Sequence, residues 1–462
     1  MKRLLTSFAC IGLISGQAMA TPVYHPPGTN LTFGSVSNGR TIMSDIANPA
    51  ASAASMTKND DTLRFGIFSS VGAGFEYGEA DELFDELDAA ANDLSNSFAN
   101  VTDPSDATLI NARINDINNI LSKIEEDGYG KAFLSLHAPL MPIVVSSDLL
   151  GGSMVFDFNF SGVVRVGAIA DPIQGFDPVA AQAIIDGTAP GGPIGNVGDV
   201  TINATDPFNI IYTLSNDSSV LLRAAGIAEA AIGYSRPVFT SGNSTLYAGV
   251  RGKYYQVTLY RDFEKVDTTQ DSQDLFSNFD SDSGETTNDF GVDVGLLWTS
   301  DHMRLGATLT NINEPEFDYN NIDPVKYAAA GITDPRVVAE LTTDLTYKME
   351  KQLTLEGALH SQNQNWLLSA SYDANEVKGP TGDEYQWMTA SVAYLNDGWI
   401  LPGVRAGYRV NQAGSELSYL TGGLTLFNVV NMDLAYGLDK VEIDGESLPR
   451  SFMFNLGLEL TF

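Results

Sequence analysis

Apolar and polar residues alternate with a period of two along most of the chain after residue 62. The last twelve residues, SFMFNLGLELTF, show the pattern most clearly. Their apolar face consists of Phe452, Phe454, Leu456, Leu458, Leu460 and Phe462. Because successive side chains of a strand point to opposite faces, this segment predicts a strand with one apolar face and one small or polar face.

Fourteen segments with this alternation predict an all-β fold. They lie near 63–75, 131–137, 153–168, 220–234, 245–263, 287–300, 303–312, 336–349, 353–361, 365–374, 385–395, 401–411, 417–427 and 451–462, and 431–440 is a further candidate. Membrane barrels of bacteria have an even number of antiparallel strands. We therefore predict a transmembrane antiparallel β-barrel of about 14 strands.

Connections of two lengths separate these segments. WTSDHM and YKMEKQL predict short turns, whereas 76–130, 169–219, 264–286 and 313–335 predict long loops on the outer side. The register between residues 350 and 400 stays open, because SQNQN fits either a turn or part of one long strand.

The two ends of the chain indicate which face of the strands meets lipid. Lys2 and Arg3, an apolar run, and Ala18-Met19-Ala20 predict a signal peptide over residues 1–20 and export by the general secretory route. Later apolar runs fall short of the about 20 residues that a spanning helix needs. A C-terminal aromatic, Phe462, resembles the membrane-insertion signal of outer-membrane barrels. We therefore expect the outer membrane of a Gram-negative bacterium, with membrane lipid, lipopolysaccharide and the barrel-insertion machinery as partners.

The period changes to that of a helix between the first two strands. Leu83, Leu87, Leu94 and Phe98 recur at helical spacing, and after Asp103-Pro104 so do Ile110, Ile114, Ile117, Leu121 and Ile124. Asp at the N-cap followed by Pro begins many helices, so residues 79–127 predict a helical hairpin. Two interpretations remain open: a packed cap with a solvated acidic face, or a docking site for a partner.

Charge and motifs exclude several functions. With 25 basic and 58 acidic residues, the net charge of −33 disfavours nucleic acid as a partner. The only cysteine, Cys10, lies inside the predicted signal peptide, so disulfides and thiolate metal sites are excluded. No catalytic, metal or cofactor motif is present, and we predict a protein that is not an enzyme, with no catalytic residues, metal or cofactor.

The polar faces of the strands supply candidate site residues. These lumen-lining positions are Asp157, Arg165, Arg251, Lys253, Asp293, Arg304, Glu356, Arg405, Arg409, Asp433 and Glu459. Their mixed signs favour an ion-pair network over an open pore of single-sign selectivity. Gly252, where the apolar phase of YAGVRGKYYQVTLY changes, predicts a bulge or kink.

The stretch SDIANPAASAASM, residues 44–56, combines Pro49 with a run of small residues. Its triplet Asn48-Pro49-Ala50 resembles the N-terminal hatch motif of the FadL-like outer-membrane barrels. LTNINEPEFDY and LPGVRAGYR resemble the branch of that group named for the conjugal-transfer protein TraF. The thioredoxin-like F-plasmid protein of that name differs, since this chain has no cysteine after residue 10.

The resemblance implies a division into a plug, residues 21–62, and a barrel, residues 63–462, that carries the helical insertion 79–127. It implies a passive channel or transporter for small, partly hydrophobic molecules. The alternative is a structural or surface-interaction component of conjugal transfer, which would act on transfer-apparatus proteins through the helical hairpin and external loops.

Overall fold

A computed structural model describes most of the chain. The described residues are 26–59, 62–79, 83, 86–87, 89–90, 92–94, 106–206, 210–214, 216–266, 284–395, 401–443 and 445–461. The predicted signal peptide, the first residues of the predicted plug, Asp103-Pro104 and Phe462 lie outside them.

Long antiparallel strands form the wall of the molecule. They are β1 Leu63–Tyr77, β2 Gly130–His137, β3 Ile143–Ser147, β4 Gly152–Ile169, β5 Ser219–Ser241, β6 Ser244–Lys265, β7 Glu285–Thr299, β8 Met303–Thr310, β9 Gln352–His360, β10 Trp366–Asp373, β11 Trp387–Tyr394, β12 Gly403–Asn411, β13 Ser418–Leu426, β14 Val430–Gly437 and β15 Ser451–Thr461. Consecutive strands pair with each other, except that β2 and β3 each pair with both β1 and β4, and β15 pairs back with β1, so the sheet closes.

The wall contains fourteen strands, as the sequence predicts. β2 and β3 pair one after the other with both β1 and β4, so together they are one interrupted wall strand. Residues 431–440, the further candidate, supply wall strand β14. A closed antiparallel barrel satisfies its backbone hydrogen bonds without an open edge, which suits a lipid environment.

The strand predicted at 336–349 is wrong. Pro335–Thr342 is a helix, because Asp334 caps it by accepting hydrogen bonds from the backbone N–H groups of Arg336 (2.8 Å) and Val337 (3.1 Å). Only Thr346–Lys348 is extended, and it pairs with Glu316–Asp318 inside a loop. YKMEKQL therefore belongs to the long-loop end and is not a short turn.

The other connections follow the sequence more closely. Short turns join β7 to β8 through 300–302 and β9 to β10 through 361–365, so SQNQN is a turn. The long connections through 78–129, 170–218 and 311–351 all emerge at the opposite end, which we call the long-loop end.

The two faces of the wall differ as predicted for a lipid-spanning barrel. On β15, Phe454 and Leu456 are exposed on the outside, whereas Met453, Asn455 and Glu459 are buried on the inside. Phe290 on β7 is 63 % exposed, which is unusual for an aromatic residue unless lipid covers it. No described helix is long and apolar enough to cross a membrane.

Gly252 does not produce the predicted bulge. It lies directly opposite Ile232 and Val292 in continuous registers on both sides. The apolar phase changes because the inner face of β6 itself becomes apolar: Val257 and Leu259 are fully buried in an interior cluster that includes Phe317. The register of the wall shifts instead in β1, between Gly66 and Val71, and in β5, between Pro237 and Phe239.

A cap lies at the long-loop end. Helix Asp106–Asp127 buries its apolar face against the connection 170–214, which contains helix Pro178–Ile185 and a sheet of Ile194–Val197, Val200–Asn203 and Ile211–Leu214. Among the described residues of the preceding stretch, Leu94 joins the same cluster, and Leu87 and Ala90 pack against it. The packing agrees with the interpretation of the hairpin as a cap.

Candidate functional site: the N-terminal segment and the cavity beside it

Residues 26–59 form a compact segment inside the barrel, which we call the N-terminal segment. It contains helices Asn30–Phe33, Ile42–Ala47 and Ala51–Asn59, and nearly all its side chains through Met56 are buried. Ala50, Ala51, Ala53 and Ala54 pack against the inner-face residues Tyr247 and Leu297. Small side chains let this backbone approach the wall closely.

Asn48-Pro49-Ala50 occupies the tightest contact between segment and wall. The Asn48 Nδ2 donates hydrogen bonds to Glu356 Oε1 at 2.6 Å and to the carbonyl of Leu296 at 3.2 Å. A Cβ placed on Gly249 would lie 2.1 Å from the Pro49 carbonyl oxygen, and one on Gly295 would lie 2.1 Å from Asn48 Oδ1. The wall therefore has glycines, which lack a side chain, where the triplet contacts it.

Inner-face carboxylates hold the segment by accepting its hydrogen bonds. Glu356 accepts from the backbone N–H of Ser37 and from its hydroxyl at 2.9 Å. Glu459 accepts from the backbone N–H of Ile42 at 2.9 Å, and Asp433 accepts from the Thr32 hydroxyl at 2.6 Å. The wall thus binds the segment through polar side chains and not by pairing it as another strand.

Inner-face cations also contact the segment through its backbone carbonyls. Arg251 donates to the Ile46 carbonyl at 2.7 Å, Arg304 to that of Ser37 at 3.4 Å and Arg409 to that of Leu31 at 3.2 Å.

The predicted lumen-lining residues also pair with one another. Asp293 lies 2.6 Å from Lys253 and 3.3 Å from Arg251, and Arg405 binds Asp433 through two bonds of 2.8 and 2.6 Å. Arg165 instead reaches Asp383 in the loop before β11, at 3.3 Å. The oppositely charged residues on the inner face therefore pair with one another, as the mixed signs of the sequence predict.

Other inner-face ionic groups were missed by the sequence analysis. Arg64 on β1 forms a buried ion pair with Asp45 of the segment at 2.9 Å. His137 lies 3.5 Å from Asp157, and Glu229 lies 3.7 Å from Arg251. Arg64 alternates with apolar residues in LRFGIF, which could have revealed it, but Glu229 is surrounded by alanines that leave no clear alternation.

A cavity of about 190 Å³ lies between the segment and the wall. Its apolar lining comprises Ile46, Ile227, Tyr255, Tyr347, Met349 and Trp387. Its ionic lining comprises Glu229, Arg251, Lys253, Asp373 and Arg409. A cavity of about 150 Å³ is large enough to bind benzene, so this one has room for a molecule built on a single ring.

A comparison with solved structures finds similar chains at low sequence identity. The Pseudomonas putida toluene transporter TodX is 14 % identical over 96 % of this chain and 99 % of its own, with a TM-score of 0.39. A Pseudomonas aeruginosa FadL homologue is 13 % identical over 97 % and 99 %, with a TM-score of 0.37. The Ralstonia pickettii toluene transporter TbuX is 12 % identical over 97 % and 99 %, with a TM-score of 0.35.

The sequence also has a family assignment. A comparison with curated protein sequences gives no significant match. The family described as "F plasmid transfer operon, TraF, protein" matches residues 45–373, which is well over half of the chain. The protein belongs to this family.

Proposed function

We propose that the protein is an outer-membrane channel, closed by the N-terminal segment, through which a small and partly hydrophobic molecule passes without input of chemical energy. The observation that carries the proposal is the cavity between this segment and the wall. It presents aromatic rings and ionic groups to the same space, as a site for a molecule with both characters requires.

A plug is physically required if the barrel is not to leak. The lumen of a barrel widens with strand number, and fourteen strands enclose more space than their own inner side chains fill. The N-terminal segment occupies that space, with Phe33 and Met43 fully buried. Its attachment through side chains makes displacement feasible, because no strand pairing has to be broken.

Deletion of residues 34–58 tests the proposal. In planar bilayers the shortened protein should show a large, steady conductance, whereas the native chain stays closed. The Gly252→Ala variant, altered on the outer face where a Cβ meets nothing within 4 Å, is the control and should remain closed. Tight closure of the deletion variant would contradict the plug.

The cargo is best sought on the purified protein itself. A co-purified molecule should be released by organic extraction, and Tyr347→Ala, which enlarges the cavity, should alter its amount. If the extract holds only membrane lipid and detergent, and candidate single-ring compounds do not bind, the cavity is not a cargo site.

The family description favours a second function, a structural component of a conjugal-transfer apparatus. The buried apolar face of Asp106–Asp127 leaves mainly the polar face of this helix for a partner. Removal of residues 79–127 should then abolish capture of transfer proteins and leave barrel insertion intact. If deletion of residues 34–58 opens a conductance and removal of residues 79–127 leaves capture of transfer proteins unaffected, the channel is supported instead.

A further inference from the structure

Three arginines form a row across the inner wall at the long-loop end. Arg165 on β4 lies directly opposite Arg223 on β5, which lies directly opposite Arg261 on β6. They share the inward register of Val163, Ala225 and Leu259, which are buried in the interior cluster. Like charges directly opposite in a sheet repel, so this row is destabilising unless anionic groups offset it.

The first arginine of the row has a counter-charge. Arg165 Nε lies 3.3 Å from Asp383 Oδ1, and its guanidinium stacks over the Tyr129 ring at 4.9 Å. Asp383 is shared, because the same oxygen lies 3.5 Å from Lys131 Nζ. This carboxylate is therefore already committed to two cations.

The other two arginines are bound by neutral groups. Arg223 Nη1 donates to the Thr381 carbonyl at 3.5 Å, and Arg261 Nη1 donates to the Thr343 carbonyl at 2.6 Å. Within the described part of the chain, no carboxylate oxygen lies within 4.0 Å of either guanidinium. No carboxylate therefore pairs directly with these two adjacent cations, and Asp344 acts on Arg261 only from beyond that distance.

Arg261 has two buried donors that are not used. It is only 2 % exposed, and its Nε and Nη2 have no hydrogen-bond partner. Buried ionic groups are costly unless they are paired, and burial leaves bulk water little access to these two donors. Nε and one Nη together form the planar fork that binds the two oxygens of an oxyanion.

The loop above the row adds a neutral donor. Tyr319 is buried beside the pair: burial raises its pKa to about 12, while the charges of Arg223 and Arg261 act in the opposite direction. Its hydroxyl therefore stays protonated at neutral pH. Because the row faces the interior of the barrel, a lipid headgroup in the surrounding membrane does not reach it.

We propose that Arg223 and Arg261 form a binding site for a small oxyanion, a carboxylate, phosphate or sulfate group, inside the long-loop mouth of the barrel. The anion neutralises the adjacent guanidinium groups and accepts from the free Nε and Nη2 of Arg261. This site lies apart from the residues that line the cavity beside the N-terminal segment, and it stands whether or not the protein is a channel.

Thermal unfolding of the full-length mature protein in detergent tests the site. Inorganic phosphate, sulfate and benzoate are each compared with chloride at equal ionic strength, which separates binding from screening. At least one of the three should raise the unfolding temperature saturably. Response to all three indicates a site for free oxyanions, whereas response to benzoate alone indicates a site for the carboxylate of an organic cargo.

Variants distinguish a binding site from a structural arginine. Arg223→Gln should weaken anion binding roughly tenfold or more, because a charge-assisted bond is lost, and should not lower stability in chloride, because a repulsion is also lost. Arg223→Lys should retain part of the binding. Arg336→Gln, which removes an exposed pair with Glu125, is the matched control and should bind as the native chain does.

Two results would overturn the proposal. One is the absence of saturable stabilisation by all three anions in the native chain. The other is equal stabilisation of Arg223→Gln and the native chain, confirmed by calorimetric titration with the same anion. The test rests on Arg223, which is half-buried, and not on the fully buried Arg261, whose substitution also affects folding.

Discussion

The side-chain amide of Asn48 donates a hydrogen bond of 2.6 Å to Glu356, a residue 308 positions later in the chain. The same carboxylate accepts from the backbone and the hydroxyl of Ser37. One inner-face group of β9 thus holds two separate parts of the N-terminal segment. Its geometry, together with the glycines opposite Pro49, suggests where the attachment can be weakened.

Glu356→Ala should loosen the N-terminal segment without unfolding the barrel. It removes the acceptor of both Ser37 donors and leaves Asn48 with only its bond to the Leu296 carbonyl, and a hydrogen bond to a charged group contributes about 1.5–3 kcal/mol. Hydrogen exchange of residues 34–48 should accelerate accordingly, while that of β12–β14 stays unchanged. Glu446→Ala, at an exposed loop position, is the control. Unchanged protection of residues 34–48 would show that the carboxylate does not hold the segment.

Gly249→Ala should displace the Asn48-Pro49-Ala50 triplet. The added methyl would lie 2.1 Å from the Pro49 carbonyl oxygen, and overpacking of this kind costs about 1–3 kcal/mol. Gly252→Ala on the same strand meets nothing within 4 Å. Limited proteolysis should therefore cleave the N-terminal segment in the first variant only. Equal resistance of the two variants would mean that the segment can shift without cost.

Arg64→Gln should destabilise the protein through the charge that it leaves behind. Its partner Asp45 is fully buried and lies 2.9 Å away, and breaking one side of a buried pair costs about 3–5 kcal/mol. Urea unfolding in lipid vesicles measures the loss. Lys378→Gln, which removes an exposed pair with Glu384, should change the free energy of unfolding by less than about 1 kcal/mol. A second substitution, Asp45→Asn, should recover part of the loss in Arg64→Gln.

Docking of the loop that contains Asp383 should depend on pH. Burial acts to raise the pKa of Asp383, but Lys131 and Arg165 outweigh it and the pKa is lowered below the ordinary value of 3.8. The lowered pKa stabilises the docked loop fully above the ordinary pKa, and this contribution is lost as pH falls through the lowered value.

Protease cleavage of residues 374–386 by an acid-active enzyme should therefore increase as pH falls below the ordinary pKa of 3.8, relative to cleavage of the barrel strands. Asp383→Asn should be cleaved readily at neutral pH and show little further change on acidification. A native loop that remains equally resistant throughout this range would exclude Asp383 as its anchor.

Alternation predicted the barrel because a wall with lipid outside imposes a period of two on every strand. It located the C-terminal strand, the inward charges of β6 and β12, and even β14 as a candidate. It failed at 336–349, where an Asp-Pro helix start overrode a pattern that also fits a short strand. It failed again at Gly252. In the sequence, a strand whose inner face becomes apolar shows the same pattern as a strand whose apolar face is shifted by a bulge.

The residues of the site could be predicted from the sequence, but their contacts could not. Asn48-Pro49-Ala50 and Glu356 were both identifiable, the triplet by its resemblance to a hatch motif and the glutamate by its place on a polar face. Their contact was not, because sequence separation carries no information on which inner-face residues meet across a lumen. The same holds for Arg165, Arg223 and Arg261, which are adjacent only once the registers of β4, β5 and β6 are known.

By itself, then, the sequence determined the type of wall: an antiparallel barrel of about 14 strands with a polar interior. The strands follow from local periodicity, which each strand carries in its own residues, and the predicted signal peptide and C-terminal aromatic indicated the face that meets lipid. Tertiary structure alone decided how the N-terminal segment is held, where a cavity remains and which charges lack partners. Those features depend on contacts between residues hundreds of positions apart, and closure of the barrel is what brings them together.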